Sequence, residues 1–303
     1  KVQPVAVMGG WGSSCTLAME PILERAKLPF LVETSSSDLV TSTEGDGEGN
    51  DWTFRISPTS TMEATALKGE LDKMGIKKAF TLSVNNDFGL GAAKHYGEIL
   101  TDLGADMAGG AKFEQGEQSF STYVTQAKAS GADTWIVTTD AGQIALLLKE
   151  AKGQGATARI ITTGGSNSPI QVNQLAGEEA TNGTFATMFF PVWDASIAAD
   201  PEGAQSFLDT WKEEGLDLGE ATEGVRGYTG IHVLAAALED VDDPGDSEAV
   251  RDAIAAVKTP GAIYGDIEFQ DWHDLVNQNV PPVYLVKTQN GELELIGTGE
   301  PPY

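Results

Sequence analysis

Short β-branched and aromatic runs alternate with amphipathic stretches through the first half of the chain, and this alternation limits the fold more than any other feature. The segments VQPVAVMGG, LPFLVET, WTFRIS, KKAFTLSV, TWIVTT and ARIITTGG read as strands. Between them, residues 16–27 (interrupted by Pro21), 61–74, 89–103 and 141–152 read as helices. Parallel strands need a long crossover between them, most often a helix, so this order predicts an α/β fold with parallel sheets covered on both faces. The later part reads differently: residues 207–214, 227–238 and 248–257 are helical in succession, followed by strands in AIYGDIEFQ, PPVYLVKTQ and ELELIG. Between the last two, Asn290-Gly291 accepts the positive φ angles of a type I′ hairpin turn. Consecutive helices and then a hairpin predict that the chain returns to pieces begun earlier. Residues 42–51, STEGDGEGND, read as an exposed acidic loop.

The first strand runs into a glycine-rich turn, VAVMGGWGSSC, ahead of a helix. Gly10-Trp11-Gly12-Ser13-Ser14-Cys15 supplies two of the three glycines of the dinucleotide fingerprint, and Glu33 ends the next strand where a ribose-binding acid would stand. Cys15 stands where the third glycine belongs, so an NAD-dependent oxidoreductase is one reading and a plain strand–helix turn another. The serines point elsewhere. Ser13 and Ser14 fall at the expected N-cap, and the free N–H groups near Cys15 and Thr16 face outward with the positive end of the helix dipole. A small carboxylate fits there, and simple capping by Ser13 explains the same residues. A second hydroxyl cluster, ETSSSD, follows the next strand; in a parallel sheet the two strand ends are neighbours, bringing Ser14 towards Ser35, Ser36 and Ser37. SVNNDFGLG, VTTDAGQ and TTGGSNS are three more strand-to-helix junctions, with Asp87 and Asp140 also readable as helix caps.

Other chemistry is excluded by what the chain lacks. It has no P-loop and no G-x-S-x-G elbow, and no histidine is spaced to activate Ser14 or Cys15. His95, His232 and His273 are far apart and show no metal-ligand spacing, so no metal and no cofactor is expected. Cys15 is the single cysteine, which leaves no disulfide within the chain. Lys and Arg number 19 against 45 Asp and Glu, a net charge of −26 that repels phosphate backbones and argues against nucleic acid as partner. No apolar run approaches the roughly 20 residues that span a bilayer.

The order of motifs carries a resemblance. GSSCTLAMEPILERAKLPFLVETSSSD, WTFRISPTSTMEA, NNDFGLGAAKHYGEIL, FSTYVTQAKASGADTWIV and GYTGIHVLAAAL, taken together over nearly the whole chain, resemble the solute-binding proteins of ABC importers of the leucine/isoleucine/valine-binding, type I periplasmic kind. The resemblance implies two Rossmann-like lobes joined by three hinge crossovers, residues 1–57 with 192–263 forming one lobe and 58–191 with 264–303 the other. It implies a non-enzymatic, monomeric carrier of a small carboxylate-bearing solute, with amino acids the leading class and aromatic or other organic acids next. Such a carrier is periplasmic or tethered outside the cytoplasmic membrane. It delivers to an ABC importer permease and meets the membrane only through that permease or a lost lipid anchor. A ligand-sensing receptor domain shares the same fold. By position, Ser14 matches the carboxylate-binding serine, Ser35 and Ser37 the pair after the next strand, and Phe88 the aromatic that covers the ligand. Asp140 matches another ligand-facing position, and the acid that holds an ammonium maps onto Gly165, so Asp140 is a candidate to replace it or the ligand lacks an ammonium. Trp11, on the rim of the first lobe, is placed to pack on an apolar ligand. The family's opening β-α-β unit has no counterpart, and the expectation is that it was lost by truncation or lies in a separate or undescribed stretch of chain.

Overall fold

A computed structural model of the chain describes residues 4–42, 51–165, 167–239, 241–259 and 263–302. Of the expected acidic loop, residues 43–50 lie outside the described residues. The chain opens with β1 (Val7–Gly9), α1 (Ser13–Arg25), β2 (Phe30–Val32) and β3 (Thr53–Arg55). There follow α2 (Ser60–Ala66), α3 (Lys68–Lys73), β4 (Lys78–Val84), α4 (Asp87–Asp102), β5 (Asp106–Phe113), α5 (Ser121–Ala129), β6 (Thr134–Thr138) and α6 (Ala141–Gly153). Next come β7 (Arg159–Thr163), α7 (Pro169–Ala176), α8 (Glu178–Thr181) and β8 (Phe185–Met188). Three helices then succeed one another, α9 (Pro201–Glu213), α10 (Ala221–Glu239) and α11 (Ser247–Ala255). The chain closes with β9 (Lys258–Thr259), β10 (Ile267–Glu268), β11 (Gln270–Trp272), β12 (Leu275–Gln278), β13 (Val283–Gln289) and β14 (Glu292–Gly299).

Two α/β units result. The first sheet has the order β1-β2-β3-β12-β11, with β1, β2, β3 and β12 parallel. The second has the order β14-β13-β8-β7-β6-β4-β5, parallel from β8 to β5, with the terminal hairpin antiparallel at its edge. The chain crosses between the sheets after β3, after β8 and after β12. The closing segment divides: β13 and β14 join the second sheet, whereas residues 270–278, within the stretch expected in the second lobe, pair in the first.

Burial on both faces explains the unbroken apolar strands. In β2, Phe30 and Val32 pack with Val40 and the apolar side of α1, while Leu31 packs on the opposite face with Phe54 in the main core. In the second sheet, Phe80, Trp135 and Ile160 face a core under α5 and α6, and Ala79, Ile136 and Ile161 face the main core. The hairpin turn forms as its residues require, with Asn290 at φ 52° and Gly291 at φ 79°.

Two expectations are corrected. The helix read over 61–74 is broken at Leu67 into α2 and α3, where the Ala66 carbonyl lies against Gly299 of β14 so closely that a side chain there would strike it. The strand β5 is absent from the sequence reading. Its segment DMAGGAKF is poor in β-branched residues, yet it pairs along β4 as the edge of the second sheet.

Candidate functional site

A cavity of about 630 Å3 opens where the carboxyl ends of the two sets of parallel strands face each other, a size suited to a small molecule. From the first sheet its wall is the turn after β1, with Gly10, Trp11 and Gly12, the first residues of α1, and Thr34 and Ser36 after β2. From the second it is Asn86 and Phe88 after β4, Gln115 after β5, Thr139 and Asp140 after β6 and Gly165 after β7. This is the crevice at which open α/β sheets place ligands.

The turn is built by its glycine. Gly10 has φ 89°, and a Cβ there would lie 2.9 Å from Thr16 Oγ1 and 3.2 Å from Val32. Gly12, not a serine, is the N-cap of α1, and it supplies no side-chain acceptor to the first turn, which also holds no acidic residue. The serines expected to cap are used elsewhere: Ser13 Oγ accepts from Ser37 N at 3.2 Å, and Ser14 Oγ donates to Asp87 Oδ2 at 2.6 Å across the cleft. The helix therefore begins at the cavity with its positive end unsatisfied by any cap side chain, an arrangement that favours an anion.

Of the residues singled out from sequence, Trp11, Ser14, Cys15, Phe88, Asp140 and Gly165 line the cavity. Trp11 is 54% exposed at the rim, and the Phe88 ring lies over Gly164, where a Cβ would come within 2.5 Å of it. Asp140 caps α6, accepting from Gln143 N at 3.0 Å, and receives Gln115 Nε2 at 3.4 Å. Asp87 is the first residue of α4, and Asn86 is its cap, accepting from Gly89 N at 3.0 Å.

Thr16, Ser35 and Ser37 stand behind the wall. Thr16 and Ser35 share a hydrogen bond of 2.6 Å, and both are buried. The fully buried Arg55 holds this loop by donating to the carbonyls of Ser35 and Ser37 at 3.2 and 2.5 Å and to Gln278 Oε1 at 2.7 Å. With both carbonyls drawn inward, Ser36 is the serine of the cluster that reaches the cavity. Thr34, the threonine of the ETSSSD cluster, lines the cavity too, whereas sequence reasoning missed Gln115, whose place follows only once β5 is recognised.

Glu33 is excluded from the cavity wall. Its Oε2 is buried without a hydrogen-bond partner and lies 3.7 Å from where a Cβ on Gly230 would be. Burial pushes its carboxyl up, with the charge of Glu223 adding to the effect and Arg226 opposing it. The residue is half-buried and is not among those lining the cavity in which a ribose would lie. Among the described residues, no group of His, Cys, Asp and Glu is arranged to hold a metal ion, and no helix is long and apolar enough to cross a membrane.

Comparison with known proteins agrees with the two-sheet fold. The periplasmic binding protein family model matches residues 2–292. By sequence, no curated protein is similar enough to match. Among solved structures, the leucine-binding protein LivK of Thermotoga maritima superposes with a TM-score of 0.83 at 21% identity, over 98% of this chain and 80% of that one. A solute-binding protein of an ABC transporter from Rhodopseudomonas palustris HaA2, in complex with p-hydroxybenzoic acid, gives 0.81 at 18% identity over 98% and 78%. LivJ of Streptococcus pneumoniae, a branched-chain amino acid transporter substrate-binding protein in complex with isoleucine, gives 0.77 at 19% identity over 98% and 79%.

Proposed function

Because the chain belongs to the periplasmic binding protein family, we propose that it is the solute-binding component of an ABC importer and that it captures a small carboxylate-bearing solute between its two sheets. The observation that carries this reading is the start of α1, whose glycine cap leaves its first turn open to the cavity. The N–H groups of Ser14 and Cys15 hold the carboxylate, joined by the Ser14 hydroxyl once it turns from Asp87 to the solute, with Ser36 beside them and Thr16, Ser35 and Ser37 fixing the loop from behind. Phe88 and Trp11 cover the apolar body of the solute, and Asp140 receives an ammonium if the solute has one. The lobes are residues 1–57 with 192–263 and 58–191 with the terminal hairpin, and they close as hinged units. Closure buries the solute and forms the surface that the permease reads. The carrier acts as a monomer outside the cytoplasmic membrane and performs no chemistry on its cargo.

Solute classes named for structural neighbours define the test. Thermal melts with leucine, isoleucine, benzoate and 4-hydroxybenzoate separate the amino acids from the aromatic acids. A solute at a hundred times its Kd adds about 2.7 kcal/mol to stability, a shift readily seen. Stabilisation by at least one carboxylate, and none by NADH, is the expected outcome. Saturable NADH binding with no response to carboxylates overturns the proposal.

A further inference from the structure

One buried charge sits at the cleft without lining it. Arg226 on α10 is fully buried, and α10 packs against the first sheet, where Gly230 approaches Met8 of β1. The side chain of Arg226 also touches the second unit. Its Nη2 donates to the carbonyl of Gly165, which follows β7 of the second sheet, at 3.4 Å, and its guanidinium lies 5.2 Å from the ring centroid of Phe189, just after β8. On its own helix, Nη1 pairs with Glu223 Oε2 at 3.2 Å, and that oxygen accepts from Thr34 Oγ1 at 3.4 Å. Thr34 and Gly165 both line the cavity, from opposite sheets. A polar chain, Thr34–Glu223–Arg226–Gly165, therefore joins the two walls behind the ligand space.

Gly165 has no side chain, and the guanidinium fills the space one would take. A Cβ on residue 165 would lie 2.5 Å from Arg226 Nη1 and 2.7 Å from Cζ, and closer still to Nη2. A flexible arginine tip usually yields to such a contact. This one is enclosed on every side, between Glu223, the Phe189 ring and the Gly165 carbonyl, and its Nε already lacks a partner. Close-packed interiors transmit such an overlap as displacement of whole elements.

We infer that Arg226 is a positioning residue for closure: its guanidinium, carried by α10, docks on the bare backbone of Gly165, and the two walls meet only when residue 165 is glycine. This rests on the carrier reading for its purpose, though not for its geometry. The contact joins units that separate in an opened form, so a side chain at 165 penalises the closed form and leaves each unit's own packing intact.

The test is a double-mutant cycle of Gly165→Ala, Arg226→Ala and the pair. For each protein the ligand-free melting temperature, the radius of gyration by small-angle scattering, and the Kd for leucine and for 4-hydroxybenzoate are measured. Gly165→Ala is expected to expand the molecule and weaken binding of whichever probe the wild type takes by about tenfold or more, as an overlap of this size implies, while its ligand-free melt stays near wild type. Removing the arginine tip in the double variant restores compactness and part of the affinity, a rescue that a purely structural role for Arg226 does not give. Gly165→Ala equal to wild type in both radius and affinity overturns the inference, as does a double variant no better than Gly165→Ala. A wild type that binds neither probe counts against the carrier reading alone; the ligand-free radii then decide, with expansion and rescue supporting the docking contact and equal radii overturning it.

Discussion

A half-buried carboxyl and a buried one set opposite demands on pH. Asp38, in the turn Asp38–Val40 that follows the ETSSSD loop, accepts from His95 Nε2 on α4 at 2.9 Å and from the hydroxyl of Thr61. Burial by itself raises the Asp38 carboxyl, but the hydrogen bond and charge of His95, with the Thr61 and Thr59 hydroxyls, outweigh it and hold the group at about 2. The same pair raises His95 against the burial that would lower it, with Lys94 opposing and Glu98 assisting. Both partners are under 20% exposed, at 16% and 19%, so this pair outweighs open ones such as Lys27–Glu248 at 62% and 58%. A histidine raised on folding contributes fully below its unfolded value, and that contribution is lost as pH rises through the raised value. Glu20 on α1 acts in the same direction for a different reason. Burial lifts its carboxyl from 4.5 to about 8, against the pull of Arg55 and with a push from Glu24, and its Oε1 has no partner. The fold then holds a proton the unfolded chain releases, so stability falls as pH rises between 4.5 and about 8. Thermal melts across pH are therefore expected to decline through neutrality. Glu20→Gln flattens the part between those two values, and His95→Gln lowers the acid-side plateau and removes the alkaline step. A decline unchanged in both variants refutes the assignment.

At the level of elements, Asp140 serves two masters that one substitution separates. As N-cap of α6 it accepts from Gln143 N at 3.0 Å, and as a cavity-lining carboxylate it offers a charge to the solute. Asparagine caps about as well as aspartate, so Asp140→Asn is expected to keep the melting temperature close to that of wild type. If the solute carries an ammonium, losing a charged hydrogen bond worth about 1.5–3 kcal/mol weakens binding roughly ten- to a hundredfold or slightly more. Calorimetric titration with leucine and with 4-hydroxybenzoate reads this directly, since only the amino acid is expected to lose affinity; an equal loss for both assigns Asp140 to the shape of the wall. The strands that place this site were readable because each is apolar on both faces, as Phe30, Leu31 and Val32 are. The edge strand β5 was not, because Gly109, Gly110 and Ala111 leave no β-branched signature, and with it Gln115 was lost from the site. The start of α1 was read at the serines because serine is the better cap, whereas the chain spends Ser13 on Ser37 and Ser14 on Asp87. Which serine of Ser35, Ser36 and Ser37 faces the cavity depends on Arg55, twenty residues beyond in sequence and hidden beneath the loop. The pairing of Gly165 with Arg226 is likewise a tertiary meeting that no local pattern announces.

The whole molecule carries a charge of −26, with 19 basic residues against 45 acidic ones. Most of these carboxylates cannot be paired, because there are too few cations to meet them. Their mutual repulsion opposes the compact state and opposes most strongly any form that brings the two acidic units together. Mobile ions relieve it: the screening length falls from about 10 Å at 0.1 M salt to about 3 Å at 1 M. The melting temperature near neutral pH is therefore expected to climb as potassium chloride is raised over this range, with most of the gain early. The probe solute's Kd is expected to tighten in parallel, since closure brings like charges nearer. Salts excluded from the protein surface, sulfate and phosphate foremost, stabilise a fold whatever its charge, and any such contribution here has to be told apart from screening. Repeating the series close to the isoelectric point of about 4.2 separates the two causes, because the net charge is then gone. Screening predicts that the gain largely disappears there, while the half-buried Asp38–His95 pair, less open to salt than the surface pairs, still holds. An equal gain at both pH values assigns the effect to exclusion and removes charge repulsion from the account of closure.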